Sequence, residues 1–270
     1  MEAGVKIFEE IAEGKTKEIY RVEPGVVKIV SKPVITAGDG AKKDPIEGKD
    51  GWANNTTVNV FELLNKHGIK THFIKRAGET AFLAFECAMI PIEVVGRRIG
   101  TGSYLKRNPK IPDGTVFDEL VVEFFYKDDE LHDPIIYKGT ITPEWQLHKA
   151  DQPKDFYAFE PDRSSSYIKT IIPCLAWEEA AYIEKQTEQI FLILEETWKE
   201  LGITLWDFKI EFGRRKDSGE IVLADVIDND SWRIRTEDGQ QLDKQRYRDG
   251  ADMKEVRNIY EIVSNMTNQW

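Results

Sequence analysis

The order of the apolar runs limits the possible folds of this chain more than any other feature. Short strand-like runs separated by turns fill the first 126 residues, at 7–11, 18–22, 26–31, 71–76, 79–85, 89–95 and 116–126, and Pro24-Gly25 marks one tight turn. One helical stripe interrupts them at 53–67, where Val60, Phe61, Leu63 and Leu64 share a face and Gly68 ends the run. The strong helices come late. Ala180, Ile183, Thr187, Ile190, Leu194, Trp198 and Leu201 keep helical spacing across 177–201 before Gly202, and Val256, Ile259, Tyr260 and Val263 do so across 253–266. Between these helices, 205–212 and 220–225 read as a β-hairpin around Lys216-Asp217-Ser218-Gly219. A parallel sheet needs a crossover helix between successive strands, and no such alternation is present. The pattern predicts an α+β fold.

A chain of 270 residues, 41% hydrophobic, can bury a large core as one domain or two packed lobes. The expected division is a β-rich lobe over 1–115 and an α+β lobe over 116–270. Residues 128–175, mixing five prolines with charges, read as a long insertion with short elements. Lys and Arg number 37 against 48 Asp and Glu, a net charge of −11, which argues against non-specific nucleic-acid binding. Any phosphate site must then be a local basic island. Cys87 and Cys174 sit among apolar neighbours and are expected to be buried; two thiols make neither a disulfide framework nor a zinc site. No leader is visible and no apolar run approaches the ~18 residues of a membrane span, so a cytoplasmic protein is expected.

Four motifs could carry chemistry. In Glu13-Gly14-Lys15-Thr16-Lys17, a glycine between strands and two lysines could cradle an anion, although the same pattern fits an ordinary hairpin turn. Thr36-Ala37-Gly38-Asp39-Gly40-Ala41-Lys42-Lys43 suits a loop closing over an anionic ligand, or equally a solvated turn. Residues 97–107 hold Arg97, Arg98, two glycines, Ser103, Lys106 and Arg107, with a helix expected near Ser103. Arginine forks and a hydroxyl there favour phosphate over the plainer reading of a solvated basic face. Lastly, Lys209 and Glu211 share a strand face, and the hairpin would bring Asp225 alongside Glu211. Paired carboxylates on apolar strands point to a divalent cation such as Mg²⁺, against the plainer reading of surface charges on an edge hairpin. His67, His72, His132 and His148 lie away from these motifs, and capping or surface roles are expected for His67 and His72.

These motifs, in this order, resemble the SAICAR synthetase (phosphoribosylaminoimidazole-succinocarboxamide synthase) family of purine biosynthesis. The chain is especially similar to the synthetase part of the bifunctional animal enzyme. The resemblance is carried by residues 13–20, 35–49, 78–82, 90–93, 97–107, 209–213, 221–233 and 243–249, above all by Ile221-Val222-Leu223-Ala224-Asp225-Val226-Ile227-Asp228-Asn229-Asp230-Ser231-Trp232-Arg233. It implies an ATP-dependent ligase. ATP would phosphorylate the carboxylate of carboxyaminoimidazole ribonucleotide, and the amine of L-aspartate would displace the phosphate.

The resemblance also implies roles. Gly14, Lys15 and Lys17 correspond to the nucleotide-phosphate turn, and Arg97, Ser103 and Arg233 to the ribonucleotide site. Lys209, Glu211, Asp225 and Asp230 surround metal and reacting carboxylate, with Glu211 and Asp225 as Mg²⁺ ligands. Asp39 and Lys42 belong to a substrate-closure loop. The implied architecture is an antiparallel-sheet N-lobe and an α+β C-lobe with ATP in the cleft, similar to kinases and ATP-grasp enzymes. Residues 128–174 depart from the family pattern and suggest a flap or an oligomer contact, so a homo-oligomer is one expectation. The chain ends at Trp270, so the carboxylase activity of the animal enzyme is expected from another polypeptide. Its rivals are an ATP-dependent phosphotransferase on another substrate and a non-catalytic nucleotide-binding regulator.

Overall fold

The computed structural model describes residues 9–37, 42–138, 144–153 and 165–270. In chain order they form β1 (Glu9–Glu13), β2 (Lys17–Glu23), β3 (Val26–Ser31), β4 (Val34–Ala37), β5 (Lys42–Pro45), α1 (Lys49–Lys66), β6 (Phe73–Arg76), β7 (Ala81–Phe85) and β8 (Cys87–Ile99). There follow α2 (Ser103–Arg107), β9 (Val116–Tyr126), β10 (Ile135–Lys138), β11 (Trp145–His148), β12 (Tyr167–Ile171) and α3 (Trp177–Glu200). The chain ends with β13 (Ile203–Arg215), β14 (Ile221–Ala224), β15 (Trp232–Thr236), α4 (Gln245–Arg248) and α5 (Met253–Thr267). The fold is α+β, as the sequence predicts. No helix among the described residues is long and apolar enough to cross a membrane.

Two compact units form. The first comprises Met1–Ala88, Gly213–Asp230 and Gln241–Trp270; the second comprises Met89–Phe212 and Ser231–Gln240. This division differs from a linear split at 115/116. Register pairing of β8 with β9 begins at Ile92↔Tyr126 and commits the 89–115 segment to the second unit. The C-terminal helix α5 packs on α1 and so returns the chain end to the first.

In the first unit an antiparallel sheet runs in the order β1-β2-β3-β7-β6. Strand alternation turns Val27 and Ile29 inward, opposite Ala84 and Phe82 of β7. Phe61 of α1 covers them, with ring centroids 5.9 Å from Phe73 and 5.9 Å from Phe82. His67 caps α1 as expected, its N–H donating to the carbonyls of Leu63 and Leu64. His72 is not a surface residue: it is buried against Phe61 and Phe82, because β6 turns inward there. Residues 36–49, expected as a loop, include most of a hairpin in which Val34↔Pro45 and Ala37↔Lys42 pair β4 with β5. Ile35 and Ile46 anchor it to a cluster with Tyr247, Val256 and Tyr260.

In the second unit the strand order is β12-β11-β10-β9-β8-β13, with β15 also paired to β13. Helix α3 packs Phe191 on Phe208 and Trp198 on Trp232, at 5.2 and 5.3 Å between ring centroids. The described part of 128–175 is not a loose flap, since β10, β11 and β12 extend the antiparallel sheet beyond β9. The burial expected for the cysteines fails: Cys174, in the turn before α3, is exposed, and Cys87 is half-buried.

Candidate active site

In the first unit, residues 14–16 form the turn from β1 to β2. The Gly14 N–H donates to the Lys17 carbonyl at 2.8 Å, so this amide closes the turn and is not presented to an anion. Lys15 is exposed. Lys17 makes an ion pair with Asp225. Asp225 follows β14 with φ 65°, a left-handed conformation that costs an L-residue on the order of 1 kcal/mol and persists only where surroundings impose it. The expected phosphate turn and one expected metal carboxylate are thus brought together.

Asp230, in the same unit, sits in a dense charge cluster. Lys49 Nζ lies 3.5 Å and Lys244 Nζ 3.2 Å from its Oδ2, and the Tyr260 hydroxyl donates to its Oδ1. Burial would raise its pKa, but the two ammonium groups hold it well below the usual carboxylate range. Asp228 accepts the Asp230 N–H at 2.8 Å; burial and the adjacent charge of Asp230 push its carboxyl up. Burial and Asp230 also raise the Tyr260 phenol. Lys42 donates to the Tyr247 carbonyl at 3.3 Å and lies 3.9 Å from that ring's centroid, while the Tyr247 hydroxyl donates to Asp44 at 2.7 Å. Asp39 lies outside the described residues.

In the second unit Arg97 of β8 and Arg233 of β15 both donate to Asp207 of β13. Gly102 has φ 61° and ψ −134°, and a Cβ there would approach Arg233 Nη2 to 2.8 Å, so glycine lets the 100–103 turn lie against the guanidinium. Ser103 opens α2. That helix is only five residues long, so its dipole is small and the arginines supply the positive charge. Arg107 donates to Glu123 and to the Ala150 carbonyl, each at 2.5 Å, and through Glu123 borders the Arg97 guanidinium. Lys209 donates to Glu93 at 2.6 Å; burial pulls its pKa down, but Glu93, Glu211 and Asp133 together raise it, and the ammonium is favoured. Both Glu211 oxygens accept from Lys127, at 2.8 and 2.7 Å.

Glu211 and Asp225, expected as joint metal ligands, belong to different units, and each meets a lysine of its own unit. Among the described residues no group of three or more His, Cys, Asp or Glu side chains gathers for a metal. As oxygen donors they are of the kind that suits a hard cation, although a lysine ammonium occupies each one here and would have to give way. Asp207, Glu93 and Lys127 were not among the site residues picked from sequence. One signal existed for Asp207. Asp207, Lys209 and Glu211 alternate along β13 with the buried Phe208, Ile210 and Phe212, so a charged face was written in the strand.

Residues 10–266 match the model of the SAICAR synthetase family. The chain belongs to the SAICAR synthetase family. It is 39% identical to the phosphoribosylaminoimidazole-succinocarboxamide synthase of Roseiflexus sp. (strain RS-1) over 98% of this chain and 99% of that protein. It is 44% identical to the bifunctional phosphoribosylaminoimidazole carboxylase/phosphoribosylaminoimidazole succinocarboxamide synthetase of Mus musculus, over 93% of this chain and 54% of that protein, and so spans about half its length. Among solved structures, a SAICAR synthetase in complex with ADP matches with TM-score 0.77 and 32% identity, covering 97% of this chain and 98% of its own. The phosphoribosylaminoimidazole-succinocarboxamide synthase of Ehrlichia chaffeensis matches with TM-score 0.78 and 32% identity, covering 96% and 98%.

Proposed function

We infer that this chain joins L-aspartate to the carboxylate of carboxyaminoimidazole ribonucleotide at the expense of ATP, in purine biosynthesis. A carboxylate is a poor acyl donor and an acyl phosphate a good one. The γ-phosphoryl group passes to a carboxylate oxygen and ADP departs. The aspartate amine then attacks the acyl carbon, the C–N bond forms, the C–O bond to phosphate breaks, and the nitrogen loses a proton. The observation that favours this reading over a generic phosphotransferase is the meeting of Arg97 and Arg233 on Asp207. Two convergent guanidinium groups suit a ribonucleotide phosphate in addition to those of ATP.

In this reading Lys15 and Lys17, on the turn shaped by Gly14, bind the nucleotide phosphates. Arg97, Ser103 and Arg233 bind the ribonucleotide phosphate, and Lys209 faces the reacting carboxylate. Lys42 and Asp39 serve the substrate side, and Asp230 contributes through the lysines it holds. Glu211 and Asp225 would hold Mg²⁺, which when bound offsets charge on the phosphates. The chain's own work is to orient three substrates and hold positive charge where phosphoryl oxygens lie.

The test is ADP release by purified protein with ATP, Mg²⁺, L-aspartate and carboxyaminoimidazole ribonucleotide. Release that depends on the ribonucleotide, with the succinocarboxamide product formed, is expected; ADP formed only with other acceptors, or none, removes the assignment. Asp225→Asn should lower kcat by at least about a thousandfold with the fold intact by circular dichroism. Near-normal turnover would exclude Asp225 as a metal ligand.

A further inference from the structure

We propose that Asp207 is a positioning residue that holds Arg97 and Arg233 in the one relative orientation in which both can meet the same phosphate. This rests on the reading of those arginines as the ribonucleotide-phosphate site. Asp207 and Arg233 are direct cross-strand partners in the β13–β15 ladder, so backbone register delivers one pair. Arg97 arrives from β8. Both arginines use Nη1, and both donate to the same oxygen, Oδ2. The side chains of Arg97 and Asp207 are 3% and 7% exposed, which makes this contact an internal strut.

The charges around that strut do not balance. Glu123 pairs with Arg107 at 2.5 Å and faces Arg97 Nε at 3.6 Å. Among the described residues three guanidinium groups therefore share two carboxylates, Asp207 and Glu123, with one positive charge in surplus. Arg97 Nε is buried with no hydrogen-bond partner among the described residues. A phosphate would offset the charge surplus. Guanidinium groups are planar and directional, so two of them serve one anion only when their forks are fixed beforehand. Once that oxygen loses its charge the two guanidinium groups repel without compensation, and Arg97 Nη1 keeps only its 3.3 Å bond to the Thr101 carbonyl among the described residues. Removal of Asp207 would also deepen the positive potential, which favours phosphate. The two effects have opposite signs, and the pre-set geometry is expected to dominate because Arg97 cannot regain its orientation from solvent.

The experiment is steady-state kinetics on full-length Asp207→Asn with each substrate varied in turn. KM for the ribonucleotide should rise at least about tenfold, while kcat and KM for ATP and aspartate stay within about twofold. Inhibition by the corresponding nucleoside, which lacks the phosphate, should be unchanged; a general structural defect would weaken it. An unchanged or lowered ribonucleotide KM overturns the proposal. Should Asp207→Asn fail to fold, Asp207→Glu decides, since it keeps the charge and displaces it by one methylene: a KM rise confined to the ribonucleotide supports the strut, and a uniform change or none overturns it. Arg97→Ala separates the two layers of the argument. If it leaves ribonucleotide KM unchanged, the phosphate reading itself fails; if it raises KM and Asp207→Asn does not, only the positioning role fails.

Discussion

Each unit places two cations on one carboxylate, in opposite materials. In the second unit Asp207 stands between Arg97 and Arg233; in the first, Asp230 stands between Lys49 and Lys244. Arginine stays charged at any working pH and presents a rigid fork, whereas a buried ammonium can be discharged. Lys244 shows that tendency: burial pulls its pKa down despite the pull of Asp230 the other way. The charge balance also differs. Lys49 and Lys244 face two carboxylates, Asp230 and Asp228, while three guanidinium groups face only Asp207 and Glu123. The lysine cluster is therefore self-compensated and acts as framework. Among the described residues the arginine cluster is one negative charge short, and the proposed phosphate site rests on that shortfall.

The largest effect should come from breaking the balanced cluster. Lys49 is 1% exposed at the first turn of α1. Lys49→Met removes one ammonium and leaves Asp230 and Asp228 with one cation between them. Deleting one partner of a buried pair costs about 3–5 kcal/mol, because the remaining charge is stranded. Urea unfolding at pH 7 should show a loss of that order. A loss below about 1 kcal/mol would mean that water already compensates the cluster, and the contrast with the arginines would collapse.

A second, smaller effect sharpens the claim that the first unit holds titrating cations. His72 is pulled down from 6.5 to about 3, first by burial and second by the charge of Lys17. The unfolded chain protonates this imidazole near pH 6.5 and the folded chain only near 3, so the unfolded state binds more protons in that window. Stability from neutral His72 is complete above about pH 6.5 and is lost as pH falls, by about 2 kcal/mol at pH 5. Urea unfolding of wild type and His72→Phe at pH 7 and pH 5 measures it: the variant should lose less stability on acidification. Equal losses would show that His72 is not the group titrating.

What could be read in the sequence follows the range of the interactions. Periodicity placed β3 and β9 at their observed bounds, and Gly68 and Gly202 follow the ends of α1 and α3, because those signals lie within one element. The β4–β5 hairpin is hidden in the sequence because Lys42 and Lys43 are exposed and its apolar anchors to the core are just Ile35 and Ile46. β15 was missed because its alternation of Trp232, Ile234 and arginines was read as a motif alone. The candidate site was legible as residue types: arginines in 97–107, carboxylates in 209–230. The partners that set their geometry were not. Lys17 with Asp225, and Arg97 and Arg233 with Asp207, join residues that only the fold brings near each other.

The smallest expected effect tests the arginine side of the contrast from the backbone. Gly102→Ala asks an L-residue to adopt φ 61° and ψ −134°, and its Cβ would come to 2.8 Å from Arg233 Nη2. A free arginine would simply move aside. Arg233 is not free, because its Nη1 is committed to Asp207. The backbone cost is about 1–3 kcal/mol, seen as a fall in Tm. The ribonucleotide KM should rise several-fold beyond what that loss of stability explains, on the order of half the effect of Asp207→Asn, with KM for ATP unchanged. Equal rises in both KM values would show that the turn supports the unit generally. A fall in Tm with no kinetic change would mean that Arg233 yields without consequence, and the open, geometry-dependent character assigned to this cluster would then belong to Arg97 alone.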